Sequence, residues 1–223
     1  MATHPNGESA LVKPVVAGSR RATANGMTLN DRSTALSLLA TRRSGRPRDL
    51  VEPGPSAAQL NQILTIAART PDHGQLVPYR FVIVGREQRD SLAELYTRAL
   101  SVAEPDAPEA KVEKAIANAR AAPALVVLIC SPEPDHKIPV SEQELTCGAA
   151  GMNLLHAATA LGFTAGWVTG WPATDPIVSS AFCGEGERIA GFLYIGTPAF
   201  PLEERARPEL DAVAVRWSPP TTA

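Results

Sequence analysis

"LTCGAAGMNLLHAATALG", residues 145–162, is the stretch that places the strongest constraint on how the rest of this chain can fold. Small and apolar residues occupy nearly every side of the helix that it predicts, and Ser141 with Glu144 forms a capping-box pattern just before it. A helix that is apolar all round is buried on all sides, so it lies either at the domain centre or in a subunit interface. His156 within it is interpreted as a core histidine with satisfied hydrogen bonds. Close approach of a second subunit would use Gly148, Ala149, Ala150 and Gly151.

Strand patterns lie on both sides of this helix along the chain. Upstream, "APALVVLIC" at 122–130 predicts a fully buried strand and "FVIV" at 81–84 predicts another. Downstream, "FTAGWVTG" at 163–170 and "RIAGFLYIG" at 188–196 predict two strands that flank a short helix over 176–182. Helical patterns over 88–100 and up to position 120 separate the first two strands. Helices alternating with about four strands predict an α/β or α+β sheet covered by helices.

Two further helices and a polar loop precede these elements. Apolar residues at positions 36, 39 and 40 have helical spacing, which predicts a first helix ending near Thr41. Its candidate caps are Asn30, Asp31 and Ser33. Ser56 and Gln59 form a capping box for a second helix, which should end before Pro71. The loop "PDHGQLVP" at 71–78 then leads into a buried strand. Polar side chains in a loop of this kind are often positioned to bind a ligand. A single histidine there is nevertheless more often a surface residue.

"RRSGR", residues 42–46, places three arginines at the end of the first helix. A helix C-terminus favours each positive charge by about 0.3–1 kcal/mol, so a capped helix end is one reading. Three arginines exceed that need, and Ser44 beside the flexible Gly45 adds hydroxyl and backbone donors of the kind that hold a phosphate or a polar heteroaromatic edge. From the residues alone, the helix cap and the anion site are both open.

Composition excludes several classes of function. With 21 Lys plus Arg against 23 Asp plus Glu, the chain lacks the global positive field expected of a nucleic-acid-binding protein. It contains no run of eighteen apolar residues, so we expect a soluble protein without a membrane partner. The 223 residues suit one domain, and the Ala-, Gly- and Pro-containing start predicts a flexible tail over 1–30 before a single domain over 31–223. Arg20 and Arg21 are not followed by the apolar stretch of a twin-arginine export signal.

The three cysteines, Cys130, Cys147 and Cys183, are odd in number, far apart and set among apolar neighbours. That pattern favours buried thiols in a reducing cytoplasm over disulfides or a metal site. We therefore expect a cytoplasmic protein and assign no metal.

The order of several short motifs resembles the FMN-dependent nitroreductase family, in particular its small bacterial members. These motifs are "RRS" after an N-terminal helix, "ARTPDHGQLVPYRFVIV", the long Ala/Gly-rich helix, "LGFTAGWVTG" and "GFLYIGTP", and they run from about Leu36 to Arg207. The resemblance implies an α+β subunit with a central, mostly antiparallel sheet flanked by helices. It also implies a homodimer with shared active sites and one non-covalent FMN in each, so that the helix over 142–162 becomes the central dimer-interface helix.

The resemblance further implies which residues bind the cofactor. Arg42, Arg43 and Ser44 would hold the FMN phosphate and the pyrimidine edge of the ring, and Arg69 with His73 would come from the partner chain. The segment beside the ring would be Trp167, Val168 and Thr169 with Gly170, whose backbone can hydrogen-bond the flavin. Arg205 and Arg207 resemble a late basic pair that closes on the phosphate. No side chain is assigned as a catalytic acid or base.

The activity implied is a ping-pong reaction in which NADH or NADPH reduces the flavin and leaves before an electron-poor acceptor, such as a nitroaromatic or a quinone, binds. The chain lacks G-x-G-x-x-G after a strand, so the nicotinamide would dock transiently rather than in a dinucleotide-binding cleft. Tyr79 and Arg80 replace the aromatic tryptophan of many members, and Val168 replaces a cation found in some. Without that cation, the flavin would be harder to reduce.

Two other functions are compatible with the same motifs. One is a flavoenzyme of the same fold with different chemistry, such as a dehalogenase or a flavin-fragmenting enzyme, which would carry an added lid; the candidate region for that lid, Ser101 to Ala121, is short. The other is a non-catalytic FMN-binding protein, which would bind the flavin without oxidising NAD(P)H.

Overall fold

The computed structural model describes residues 28–219, and most of the predicted tail lies outside this range. Within it, residues 28–203 form one compact unit and residues 204–219 belong to another. The tail over 1–30 and the single domain over 31–223 stay predictions. The helices are α1 (Ala35–Thr41), α2 (Ala57–Ala67), α3 (Arg89–Ala103), α4 (Glu109–Arg120), α5 (Val140–Ala160), α6 (Pro176–Phe182) and α7 (Leu210–Val213). The strands are β1 (Leu50–Val51), β2 (Tyr79–Val84), β3 (Ala124–Cys130), β4 (Thr164–Val168) and β5 (Arg188–Pro198).

The sheet is built around β5, the longest strand. It pairs with β1, β3 and β4, and β3 pairs in turn with β2. Every one of these pairings is antiparallel, which confirms the α+β prediction. The sequence patterns missed β1 because its two residues are too few to show an alternation.

Helices cover both faces of the sheet, and the sequence of β3 shows the apolar pattern that this burial requires. Leu125, Val127 and Ile129 point into the core shared with α3, α4 and α6, whereas Val126 and Leu128 point into the core shared with α2 and α5. Side chains alternate between faces along a strand, so a strand covered on both sides must be apolar at every position. The continuous apolar run in the sequence is therefore the signature of a central, doubly covered strand.

Within a single chain, α5 is buried on only one side, so of the two predicted locations the domain centre is excluded and the subunit interface stays a prediction. Ala150, Gly151, Leu154 and Leu155 face the protein's own core. The opposite side carries Leu145, which is 74% exposed, together with partly exposed residues one and two turns on. These form an outer stripe of Leu145, Gly148, Ala149, Met152 and Asn153, which we call the α5 outer stripe.

The predicted helix starts differ in how well they match the structure. The capping box of Ser56 and Gln59 is confirmed at the start of α2. α1 is capped by Thr34, which accepts from the amide of Ser37, rather than by any of the three candidates named from the sequence. The capping box predicted for α5 is wrong: this helix begins at Val140 after Pro139 and has no side-chain cap. Pro139 fixes the backbone at the entry instead.

All three cysteines are free thiols, with Cys130 and Cys147 buried and Cys183 partly buried. A hydrogen bond from the Cys147 thiol lowers the pKa of Cys130, and the charge of nearby Arg188 also lowers it, against the opposing effect of burial. Among residues 28–219 there is no group of three or more His, Cys, Asp or Glu that could hold a metal ion. No helix in the same range is long and apolar enough to cross a membrane.

Glu187 joins three parts of the sheet edge. Its carboxylate accepts from Arg80 Nε at 2.8 Å, from Ser131 Oγ at 2.6 Å and from the amide of Gly184 at 2.7 Å. These interactions tie β2 and the end of β3 to the turn before β5. The Arg80 hydrogen bond is the main cause that lowers the pKa of Glu187 to about 2.

We predict that Glu187→Gln lowers the free energy of unfolding at pH 7 by about 1.5–3 kcal/mol, the usual value of hydrogen bonds to a charged group. A carboxyl whose folded pKa lies below its unfolded value of about 4.3 stabilises the fold above that value, and this contribution is lost as the pH falls towards 2. The difference between variant and wild type in urea unfolding should therefore shrink from pH 5 to pH 2.5. Glu144→Gln is the control, because its ion pair with Arg188 is exposed and should contribute at most about 1 kcal/mol. Equal losses for both variants would contradict this prediction.

Candidate functional site

The arginine segment over 42–46 leaves α1 and runs against β4. The amide of Gly45 donates to the carbonyl of Ala165 at 3.3 Å. A Cβ on Gly166 would collide with the carbonyl oxygen of Gly45, and a Cβ on Gly45 would lie 2.7 Å from Leu50 Cδ2. The segment can therefore lie on the sheet only because both positions are glycine, and this contact fixes where the arginines stand.

The first two arginines are held by contacts within this region. Arg42 Nη1 donates to Ser44 Oγ at 3.1 Å. Arg43 donates from its amide to Asn30 Oδ1 at 2.6 Å and from Nε to the carbonyl of Glu203 at 2.7 Å. Asn30 also donates to Thr164 on β4, so a residue at the edge of the predicted tail helps to position the segment.

A groove of about 330 Å³ lies beside the segment. It is lined by Arg43, Ser44, Gly45 and Arg46 on one side and by the chain after β5, residues 198–203, on another. Two guanidinium groups, a hydroxyl and nearby backbone form a donor set suited to a phosphate-type anion, and Asp49 and Glu203 are the lining residues with carboxylates in the described part of the chain. Arg46 is exposed and was not singled out from the sequence, although it stands in the quoted "RRSGR"; its spacing from Arg43 was the available signal.

The segment at the end of β4 is divided between core and surface. Trp167 donates from Nε1 to the carbonyl of Ala190 at 3.1 Å, and its ring fills the space over Gly151 and Gly191. Val168, which is 40% exposed, and the exposed Thr169 and Gly170 stay at the surface. They line a second cavity, of about 380 Å³. Trp167 is therefore engaged in packing through its ring, although the residue as a whole is partly exposed.

Arg69 and His73 lie along α5 rather than in the groove. His73 Nδ1 is 2.8 Å from Glu142 Oε2 near the start of that helix, and both side chains are well exposed. The carbonyl of Arg69 accepts from Asn153 on the α5 outer stripe at 3.0 Å. Within one chain, the structure does not bring these two residues together with Arg43 and Ser44.

Arg205 and Arg207 belong to the C-terminal unit. Arg207 Nη2 is 3.1 Å from Glu204 Oε1, and the amide of Arg205 donates to the same oxygen. Their approach to an anion in the groove stays a prediction.

His156 is not the satisfied core histidine expected from the sequence. Its Nδ1 is buried and has no hydrogen-bond partner among the described residues. Burial lowers the pKa of His156, and the charge of Arg42 lowers it further, so the imidazole is neutral at pH 7. The prediction failed because the hydrogen-bond partner of a helical residue comes from other elements, which the helix pattern does not reveal.

A family model and several known proteins match this chain in sequence. The model of the nitroreductase family matches residues 39–197. YdjA of Escherichia coli strain K12, to which an NAD(P)H nitroreductase activity is ascribed, is 37% identical over 169 residues, covering 74% of this chain and 88% of that protein.

Solved structures show the same fold. A nitroreductase-like family protein from Bacillus cereus has a TM-score of 0.71 at 20% identity, covering 84% of this chain and 97% of that one. A variant of NfnB, an FMN and NADPH-dependent nitroreductase from Sphigopyxis sp. strain HMH, has a TM-score of 0.66 at 20% identity, with 83% and 99% covered. At these identities the likeness concerns the fold.

Proposed function

This chain belongs to the nitroreductase family, and on that premise we propose that it is an FMN-dependent oxidoreductase that uses NADH or NADPH to reduce nitroaromatics, quinones or similar electron-poor acceptors in a ping-pong reaction. The observation that carries the proposal is the anchored arginine segment, whose donors face a groove large enough for a phosphate group.

The residues around the groove fit FMN. Arg43, Ser44 and Arg46, which line the groove, would hold the phosphate and polar edge together with Arg42, which donates to Ser44, because a doubly charged monophosphate calls for several charge-assisted donors. The contact between Gly45 and Gly166 brings this donor set directly beside β4, whose end carries Val168, Thr169 and Gly170. Those exposed residues offer backbone groups to the ring, and Arg205 with Arg207 would close on the phosphate.

When bound, FMN supplies the hydride chemistry, and the protein orients and tunes it. The arginines of the segment would supply positive charge beside a ring that becomes negative on reduction, whereas the neutral side chain of Val168 would add none. The indole of Trp167 fills the space over Gly151 and Gly191 and so supports β4 from the core side. We assign no side chain as acid or base.

We propose that the enzyme is a cytoplasmic homodimer with shared active sites, formed through the α5 outer stripe. An exposed leucine beside small residues is a surface that a second copy can approach closely. A Cβ added at Gly148 would meet no atom within 4 Å, so this position faces outward. Arg69 and His73 lie along the same side of α5, where they could reach a flavin held by the partner.

Of the alternatives, a flavin-fragmenting or dehalogenating enzyme would need a lid formed by residues 101–121. In the structure that region is mostly α4, and its Ala115 and Ala119 are buried against the sheet. The segment is thus part of the core, which favours the nitroreductase reaction.

We expect the purified protein to be yellow, to release FMN rather than FAD on denaturation, and to oxidise NADH or NADPH with a nitroaromatic or a quinone as acceptor. Chromatography of the released flavin and steady-state rates with varied donor and acceptor measure this, and a ping-pong reaction gives parallel double-reciprocal lines. Bound FMN without any nicotinamide oxidation would support the non-catalytic alternative instead. A protein that stays colourless with excess FMN would refute the flavin proposal.

Arg42→Ala and Arg46→Ala should each weaken FMN binding by roughly 10- to 100-fold, because each removes about 1.5–3 kcal/mol of charge-assisted hydrogen bonding. Titration of the apoprotein by quenching of FMN fluorescence measures the affinity, with thermal unfolding of the apoprotein in parallel. Arg48→Ala is the matched control, since Arg48 is exposed and pairs only loosely with Asp49 at 3.7 Å, so it should change affinity less than twofold. If the variants instead melt early but bind FMN normally, the arginines serve only as a helix cap.

Gly148→Glu should dissociate the dimer and lower FMN occupancy together, because it adds a charge to the α5 outer stripe while leaving the core untouched. Sedimentation with and without added FMN measures both effects, and FMN should tighten association of the wild type. Ala117→Glu on the exposed side of α4 is the control and should stay dimeric. Gly151 is unsuited to this test because its missing side chain makes room for Trp167. A monomer with full FMN occupancy would refute the shared site.

A further inference from the structure

The cavity of about 380 Å³ lies between α3, α4 and the chain that follows β4. α4 contributes Lys111, Lys114 and Asn118, and the opposite wall is formed by Val168 to Pro172. Its volume lies in the range of small-molecule sites and exceeds that of one substituted aromatic ring.

Aromatic rings form much of the cavity wall. Tyr96 packs edge-on against Trp171, with 5.6 Å between ring centroids, and against Phe192, with 6.2 Å between centroids. All three line the cavity, as does Tyr194. Aromatic side chains pair favourably with further rings in edge-to-face or offset-stacked geometry, so this wall suits an aromatic ligand.

One polar group in this wall has no partner. Tyr96 is 1% exposed, and its hydroxyl has no hydrogen-bond partner among the described residues. The neighbouring Tyr194 hydroxyl, by contrast, donates to the carbonyl of Asn118 at 3.0 Å. An unpaired buried hydroxyl costs about 1–3 kcal/mol, which a ligand that supplies the missing partner would recover.

The charges around the cavity are positive. Lys111 and Lys114 stand at its rim, and no aspartate or glutamate is among the described residues that line it. Lys111 pairs with Glu104, whereas Lys114 forms no ion pair within residues 28–219. Behind the wall, Arg89 is 5% exposed and donates only to the carbonyls of Val84, Ala119 and Ala121, so its charge has no carboxylate partner there.

We propose that this cavity binds an aromatic acid, with its ring against Tyr96, Trp171 and Phe192 and its carboxylate at Lys114. A hydrogen-bonding substituent on the ring pairs with the Tyr96 hydroxyl. The inference goes beyond the proposed function, because binding depends only on residues of one chain.

The test is isothermal titration calorimetry of the flavin-loaded protein without nicotinamide, using probes that cannot be reduced. 4-Hydroxybenzoate should bind at least tenfold more tightly than the neutral 4-hydroxybenzamide, and this preference should shrink at high salt. Benzoate, which lacks the ring hydroxyl, should bind more weakly than 4-hydroxybenzoate. The visible spectrum of the flavin, recorded in the same samples, shows whether FMN is retained.

Variants test the two proposed recognition elements, which are the Lys114 ammonium group and the Tyr96 hydroxyl. Lys114→Gln should abolish most of the acid-over-amide preference, while Lys137→Gln, on an exposed loop outside the cavity, should leave it unchanged. Tyr96→Phe should reduce 4-hydroxybenzoate affinity to that of benzoate without lowering the melting temperature, because the lost hydroxyl has no partner in the protein.

Equal affinity for the acid and the amide, or equal effects of the two lysine variants, would overturn the proposal. Failure of the proposed function is seen separately, as absence of NAD(P)H oxidation with any acceptor while aromatic acids still bind. Normal turnover of neutral nitroaromatics without any calorimetric preference for acids would leave the function standing and refute the cavity assignment.

Discussion

The close contact between Gly45 and Gly166 is the constraint on which the candidate site depends. Two stretches of backbone meet where a side chain on either residue would collide, so the arginine segment is fixed to β4 and cannot swing freely at the end of α1. β4 is itself held along β5, the strand that joins most of the sheet. The position of the cationic groups is thereby set by the central sheet, and a site held by regular strands suits binding of an anion with defined geometry.

α5 contributes both to the core of the subunit and to the proposed dimer interface. Its inner side completes the packing of α2 and the sheet, and Gly151 makes room there for Trp167. Its outer side presents leucine and small residues to the surroundings, and the candidate partner-facing residues Arg69 and His73 lie along it. One helix thus serves both the stability of the subunit and the proposed shared site, so changes on its two sides should have different consequences.

Positive charge is concentrated in local clusters rather than spread over the whole chain. The chain is close to neutral, yet cations gather at the arginine segment and again around the cavity beside α4. The lining of the groove has two arginines and two carboxylates, whereas the described lining of the cavity has two lysines and no carboxylate. Such local clusters suit small ligands rather than an extended polyanion. The end of β4 contributes to the second place, and the body of the same strand contacts the segment that forms the first.

The sequence by itself determined the elements and the family. Long periodic patterns gave every helix from α2 to α6 and every strand from β2 to β5, and the ordered motifs predicted the nitroreductase fold because each of these signals is local. The sequence did not reveal β1, the Thr34 cap or the absence of a cap on α5, because two-residue pairings and helix entries depend on neighbours distant in the chain. Only the tertiary structure decided that Gly151 faces inward while Gly148 faces outward, that Arg46 lines the groove, and that His156 and Tyr96 lack hydrogen-bond partners. The physical reason is that helical periodicity defines which residues share a face, whereas the identity of the group packed against that face is set by the fold as a whole.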